Sequence, residues 1–156
     1  GIVLMGGAVG AGNVTPHAEF NVYVDPQAAA TVFACGAPIT MIGLDVTRQV
    51  LVTTERLTAI RAIGTVAAEA VTAMLGAYPA NAPLHDPCVI AYLLRPELFV
   101  GRAARVTVET ADEVTLGRTL VDWDAPPGEC NATVMETVDA DGMFALLEEC
   151  LWRLSP

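Results

Sequence analysis

The sequence predicts an α/β fold, and three observations carry that reading. Residues 2–5 and 39–44 are short, continuously apolar runs, the pattern of parallel strands covered on both faces. Between them Asp25-Pro26-Gln27 opens a helical stretch that Gly36 closes, so the three segments make a strand, helix and strand in succession. Strand and helix patterns then alternate along the rest of the chain, with no internal repeat, low-complexity tract or linker, so the 156 residues read as one domain.

Each element has a local cause. Residues 2–5, Ile-Val-Leu-Met, form the first buried strand. The first helix takes Asp25 as N-cap and Pro26 in its first turn, where the missing N–H costs nothing, and runs through Ala28 to Cys35. Residues 54–62 and 65–77 are expected as helices, and residues 86–94 as another that must stop before Pro96. Residues 105–109, 119–123 and 133–138 alternate in polarity like strands of a half-exposed sheet. Asp139 begins a final amphipathic helix that turns Phe144, Leu147, Leu151 and Trp152 to one side, with Asp139 and Asp141 at its start.

Composition excludes several functions. Apolar residues make up 53% of the chain and charged residues 17%, the balance of a well-buried core rather than disorder. The net charge of −10 sets 18 acidic residues against eight arginines and no lysine, so a broad phosphate-binding surface and a nucleic-acid partner are not expected. Without lysine there is no P-loop lysine, no Schiff-base lysine and no Tyr-x-x-x-Lys pair. Cys35, Cys88, Cys130 and Cys150 are widely spaced, which suits reduced, mostly buried thiols rather than a zinc knuckle or redox pair. No apolar run approaches the roughly 20 residues of a membrane span and no secretion signal is visible, so a cytoplasmic protein is expected.

The richest segment follows the first strand: Met5-Gly6-Gly7-Ala8-Val9-Gly10-Ala11-Gly12-Asn13-Val14-Thr15-Pro16-His17-Ala18-Glu19-Phe20-Asn21. Its glycines let backbone approach a ligand, and Asn13, Glu19 and Asn21 offer the donors and acceptors that a polyhydroxylated molecule such as a sugar requires. In an open α/β sheet, ligands collect at the carboxyl ends of the strands, which is where this loop falls. A nicotinamide site is the competing reading, because Gly6, Gly10 and Gly12 match one dinucleotide spacing. Against it, the loop runs into Val14-Thr15-Pro16 instead of a helix whose N-terminus could hold a pyrophosphate, and no acidic residue stands convincingly on a strand end some 20 residues on.

A second constellation is Pro83-Leu84-His85-Asp86-Pro87, just before a predicted helix. Asp86 as helix cap beside an ordinary loop histidine is one explanation; Asp86 as a hard-cation ligand beside a proton-donating His85 is the other. Spacing alone leaves both open. His17 reads as a loop or pocket-rim residue, and Tyr78 either as a surface tyrosine or as a base-stacking one. Asp45 and Thr47 follow a strand end and suit turn, cap or supporting roles alike. Asn131-Ala132-Thr133 matches a glycosylation acceptor that no secretion signal supports.

Taken in order, Met-Gly-Gly-Ala-Val, Gly-Asn-x-Thr-Pro, Ala-Glu-Phe-Asn, Asp-Pro-x-Ala-Ala, Leu-Asp-Val-Thr and Pro-Leu-His-Asp-Pro form a series that resembles the inosine-uridine preferring nucleoside hydrolases. The resemblance runs over essentially the whole chain. It implies an open, mostly parallel, Rossmann-like sheet flanked by helices, and hydrolysis of the N-glycosidic bond of a purine or pyrimidine ribonucleoside to base and ribose with a bound calcium ion, Ca2+. By matching motif to motif it implies that Asn13, Glu19 and Asn21 hold the ribose hydroxyls, that Met5 lines the ribose pocket and that Phe20 packs beside the sugar. It makes Asp86 a calcium ligand, His85 the donor of a proton to the departing base, and Tyr78 a candidate base contact.

One departure matters. The family's aspartate-rich motif of the Asp-x-Asp-Pro-x-x-Asp-Asp kind, which supplies most calcium ligands and the water-activating base, is not found here. The expectation is therefore a C-terminal half whose calcium site is completed by a missing N-terminal half, with a homo-oligomer, dimer or tetramer, implied by the family. A second departure is the short link Tyr78-Pro79-Ala80-Asn81-Ala82, where the family usually carries a longer mobile loop. A catalytically incomplete module with an exposed sheet edge is the alternative from another class.

Overall fold

A computed structural model describes residues 1–154. Five strands form one open sheet in the order β1-β2-β5-β3-β4. They are β1 (Ile2–Met5), β2 (Ile39–Ile42), β3 (Phe99–Val108), β4 (Thr119–Asp122) and β5 (Ala132–Val138). β1 pairs with β2 and β2 with β5 in parallel, Met5 opposite Ile42 and Met41 opposite Val134, while β3 runs antiparallel to both β5 and β4. The expected α/β architecture is thus present, with a parallel half carrying the crossovers and an antiparallel half closing the other edge.

The helices are α1 (Phe20–Val24), α2 (Pro26–Phe33), α3 (Leu44–Thr47), α4 (Thr54–Ala62), α5 (Val66–Gly76), α6 (Pro87–Leu94) and α7 (Ala140–Arg153). Capping explains their starts. Asp25, Thr53, Thr65 and Asp139 each accept a main-chain N–H of the first turn of α2, α4, α5 and α7, and Pro26 occupies the first turn of α2. Each such cap is worth about 1 kcal/mol.

Side chains alternate across the strands and split the core in two. On one face Phe33 of α2 packs with Ile39, Met41, Ala104, Val106 and Val134. On the other, Ile42, Val46, Ile60, Cys88, Phe99, Met143 and Phe144 join β2, β3 and helices α3, α4, α6 and α7. Gly7 makes the turn out of β1 against β2 and β4. It has φ +73°, and a Cβ there would meet Met41 Cε at 2.6 Å and Thr119 Cγ2 at 2.8 Å, so only glycine suits the turn out of β1.

Several expectations are corrected. The segment read as a loop from Met5 to Asn21 ends in a helix, α1, because Glu19 caps it. β2 ends at Ile42 and Leu44 already belongs to α3. β3 begins at Phe99, six residues before the alternation visible from Arg105; an irregularity between Val100 and Gly101 breaks its pattern. The cysteines are free, but only Cys88 is buried, with Cys130 and Cys150 half-buried and Cys35 exposed at the end of α2. Asn131 donates to the carbonyls of Phe33 and Val106 and accepts from the Val106 N–H, so its amide braces α2 against β3.

Candidate active site

β1 and β2 are parallel, so the turns that leave them meet at one end of the sheet. The Gly6 N–H donates to the Ile42 carbonyl and the Leu44 N–H to the Gly7 carbonyl, which sews the two turns together. Glu19 closes the first turn from inside. It is 2% exposed, its Oε2 accepts from the Gly7 N–H at 2.9 Å and the Val22 N–H at 3.3 Å, and its Oε1 accepts from the Asn21 N–H at 2.9 Å. A carboxylate has about four acceptor positions, so three main-chain amides leave one on Oε1 unused.

Asn13 and Asn21 are brought to the same surface. Asn13 Oδ1 accepts from the Phe20 N–H at 2.9 Å, leaving its Nδ2 donors without a partner among the described residues. Asn21 Nδ2 donates to the Met5 carbonyl at 3.2 Å and contacts Met5 Sδ at 3.4 Å, leaving Oδ1 as an open acceptor. Met5 and Asn21 are therefore one unit, and Phe20, next to Asn21 in the first turn of α1, presents an exposed ring. The arrangement offers donors, acceptors and an apolar ring side by side, which is the chemistry of a sugar face. The dinucleotide reading finds no support: α1 has five residues and its first-turn amides already hold the Glu19 carboxylate, so a pyrophosphate would meet like charge.

The His85-Asp86 pair lies over the adjoining turn. His85 Nδ1 is 2.8 Å from Thr47 Oγ1, and Thr47 is wholly buried in α3. Burial pushes the His85 imidazole below its ordinary value; the Asp86 and Glu19 carboxylates pull it up, and the Arg48 guanidinium pushes it further down. Asp86 precedes α6 but does not cap it: its own backbone is already helical, with φ −61° and ψ −34°, and its carboxylate makes no capping bond. The carboxylate stays exposed at the rim of a cleft of about 430 Å³, whose walls include Val71, Met74, Tyr78, His85 and Leu147. Tyr78, 67% exposed, shares this cleft with His85, whereas His17 uses only its backbone N–H, to Thr15 Oγ1.

α3 is what unites the two constellations. Asp45 accepts the Val9 N–H at 2.6 Å and the Gly10 N–H at 3.0 Å. Arg48 donates to the carbonyls of Ala11 and Gly12, both at 2.7 Å. α3 and its C-cap residue Arg48 thus grip the glycine-rich loop with two charged side chains and the histidine with a third residue, Thr47. On the β4 side Thr119 Oγ1 accepts the Ala8 N–H at 2.9 Å and donates to the Ala8 carbonyl at 2.7 Å. Arg48 and Thr119 were not visible as site residues in the sequence. The only signal for Arg48 was its i,i+3 spacing from Asp45, which places both on one helix face.

Fold and site together define an α/β protein with a hydroxyl-matching wall and a histidine-carboxylate pair at the carboxyl ends of parallel strands. Residues 1–145 match the family model described as inosine-uridine preferring nucleoside hydrolase, and the chain belongs to that family. It is 48% identical to the pyrimidine-specific ribonucleoside hydrolase RihA of Shewanella woodyi, over 96% of this chain and 52% of that protein. Among solved structures, the inosine-uridine preferring nucleoside hydrolase of Bacillus anthracis superposes with a TM-score of 0.85 at 25% identity, covering 97% of this chain and 51% of the other. The purine-preferring ribonucleoside hydrolase of Gardnerella vaginalis gives 0.80 at 31% identity, covering 97% and 52%. The chain spans about half the length of the relatives it matches.

Proposed function

We propose that this chain serves as the C-terminal half of a ribonucleoside hydrolase domain that cleaves the N-glycosidic bond to free base and ribose. The observation that carries the reading is the convergence on α3: Asp45 and Arg48 hold the loop of Asn13, and Thr47 holds His85. In this reading Asn13 Nδ2, Asn21 Oδ1 and the open position on Glu19 Oε1 bind the ribose hydroxyls, with Met5 and Phe20 against the sugar ring. Negative charge on Glu19 stabilises the oxocarbenium-like ribosyl cation as the bond breaks. The base occupies the cleft beside Tyr78, and His85 delivers a proton to it; a depressed basicity makes the imidazolium scarcer at neutral pH but the stronger acid. General-acid help of this kind is worth about 10²–10⁴-fold.

Asp86 fits a calcium ion, since its hard oxygen donors are exposed and bound to no main-chain amide. A bound calcium ion supplies a grip on hydroxyls and a more acidic water. No group of three or more metal-ligating side chains is assembled among the described residues, so we assign Asp86 as this chain's contribution and the other ligands to the remainder of the domain. The same observation favours a second reading, in which the chain on its own is catalytically incomplete. We assign pyrimidine ribonucleosides as substrates, on the 48% identity with a pyrimidine-specific relative. A cytoplasmic homo-oligomer completes the proposal; the four free thiols suit a reducing compartment.

The test is uracil release from uridine by the full-length protein in calcium buffer, then after chelation, for wild type and Asp86→Asn. The proposal expects activity that chelation abolishes, loss of that activity in Asp86→Asn, and a urea midpoint equivalent to within about 0.5 kcal/mol, because Asp86 caps nothing. Calcium-independent turnover, or wild-type turnover in Asp86→Asn, refutes the metal assignment.

A further inference from the structure

We infer that Thr47 is a positioning residue that fixes His85 in the tautomer with its proton on Nε2. The inference rests on the ribonucleoside-hydrolase reading for its purpose, but on geometry for its content. Thr47 Oγ1 is buried without solvent and has two neighbours: His85 Nδ1 at 2.8 Å and the Leu44 carbonyl at 3.5 Å. A hydroxyl carries one proton, and a bond of 2.8 Å is a full hydrogen bond whereas 3.5 Å is marginal. The Thr47 proton therefore goes to Nδ1, which must be the bare nitrogen of a neutral ring, and the ring proton sits on Nε2. Nε2 has no partner among the described residues, and His85 lines the cleft, so the N–H is left for whatever the cleft holds.

The consequence is a division of labour within α3. Asp45 and Arg48 set the position of the sugar-binding loop, while Thr47 sets the direction in which His85 can give a proton. In the neutral ring Nε2–H meets the cleft as a hydrogen-bond donor; when Nδ1 is protonated in turn, Thr47 Oγ1 rotates to accept it, so the ring keeps Nε2 towards the cleft in the imidazolium form that gives up a proton. Threonine suits the position twice over: its methyl fills a site with no exposed surface, and its hydroxyl supplies the donor. Serine retains the second property and valine the first.

The test reads the tautomer directly. Long-range proton–nitrogen spectra of this chain at pH 8, above the ordinary histidine value of about 6.5, distinguish the bare from the protonated ring nitrogen. The chain has two histidines, so a His17→Asn variant assigns the His85 signals. Expected are a bare Nδ1 and a protonated Nε2 in wild type and in Thr47→Ser, and nitrogen shifts drawn towards each other in Thr47→Val. A protonated Nδ1 in wild type, or no change in Thr47→Val with the fold intact by circular dichroism, overturns the inference. If Thr47→Val fails to fold, the wild-type and Thr47→Ser spectra decide alone. In the full-length protein, Thr47→Val is expected to lower kcat for uridine by about 10–100-fold, within the range of general-acid help, with KM little changed and with recovery in Thr47→Ser. Failure of all three proteins to cleave uridine would count against the hydrolase reading and leave the tautomer result standing.

Discussion

Glu19 shows how a single side chain can scaffold two turns at once. Its two oxygens accept three main-chain amides, and without them the turn out of β1 and the start of α1 would leave buried donors unpaired, at about 1–3 kcal/mol each. Cys88 is the opposite case, a reactive group silenced by its surroundings. Burial, reinforced by the Asp86 carboxylate, pushes its thiol up to about 12. A thiol raised above its unfolded value stabilises the fold fully below about pH 8.5 and loses that contribution as pH rises towards 12. Iodoacetamide at pH 8, read by mass spectrometry, should modify exposed Cys35 and spare Cys88; equal labelling would show that the site is open. Asn13, Glu19, Asn21, His85 and Asp86 could all be singled out in the sequence, since residue type and motif carried them. Asp45 and Thr47 could be singled out only as turn, cap or supporting groups, and Arg48 not at all, because their partners lie 35 to 38 residues away and only folding brings them together.

Elements follow the same division between local and distant causes. α2, α4, α5 and α7 were legible because cap, first turn and stop are written within a few residues of one another. α1 and α3, with five and four residues, are too short to hold themselves and persist through the contacts at their ends. The first half of β3 was hidden by Gly101, whose Cβ position is filled by the Val134 carbonyl and by Met135, and by the broken alternation around it. α3 acts as the clamp of the glycine-rich loop, so Asp45→Ala should raise amide exchange at Val9 and Gly10. Gly7, held separately by Glu19, should keep its protection. Uniform loss at all three amides in hydrogen-exchange spectra would mean that the loop and the β1 turn open together.

The molecule as a whole is a sheet whose parallel half positions a site and whose antiparallel half braces it through Thr119. The parallel β1-β2 unit was evident from apolar runs; the strand order was not, because β5 enters between β2 and β3 from the far end of the sequence. An apolar groove of about 420 Å³ between α6 and α7, lined by Ile90, Leu94, Met143 and Leu147, adjoins the candidate site through Leu84 and Asp86. In the proposed reaction Asn13 and Asn21 grip the ribose hydroxyls during cleavage. The measurement that reaches it most directly is kcat/KM for uridine in the full-length protein at saturating calcium, for wild type against Asn13→Ala and Asn21→Ala. Loss of one or two hydrogen bonds of about 0.5–1.5 kcal/mol, strengthened where they act on the transition state, predicts a fall of about 10–100-fold in each variant. Unchanged kcat/KM in both, with both folded, would mean that these two amides do not hold the sugar.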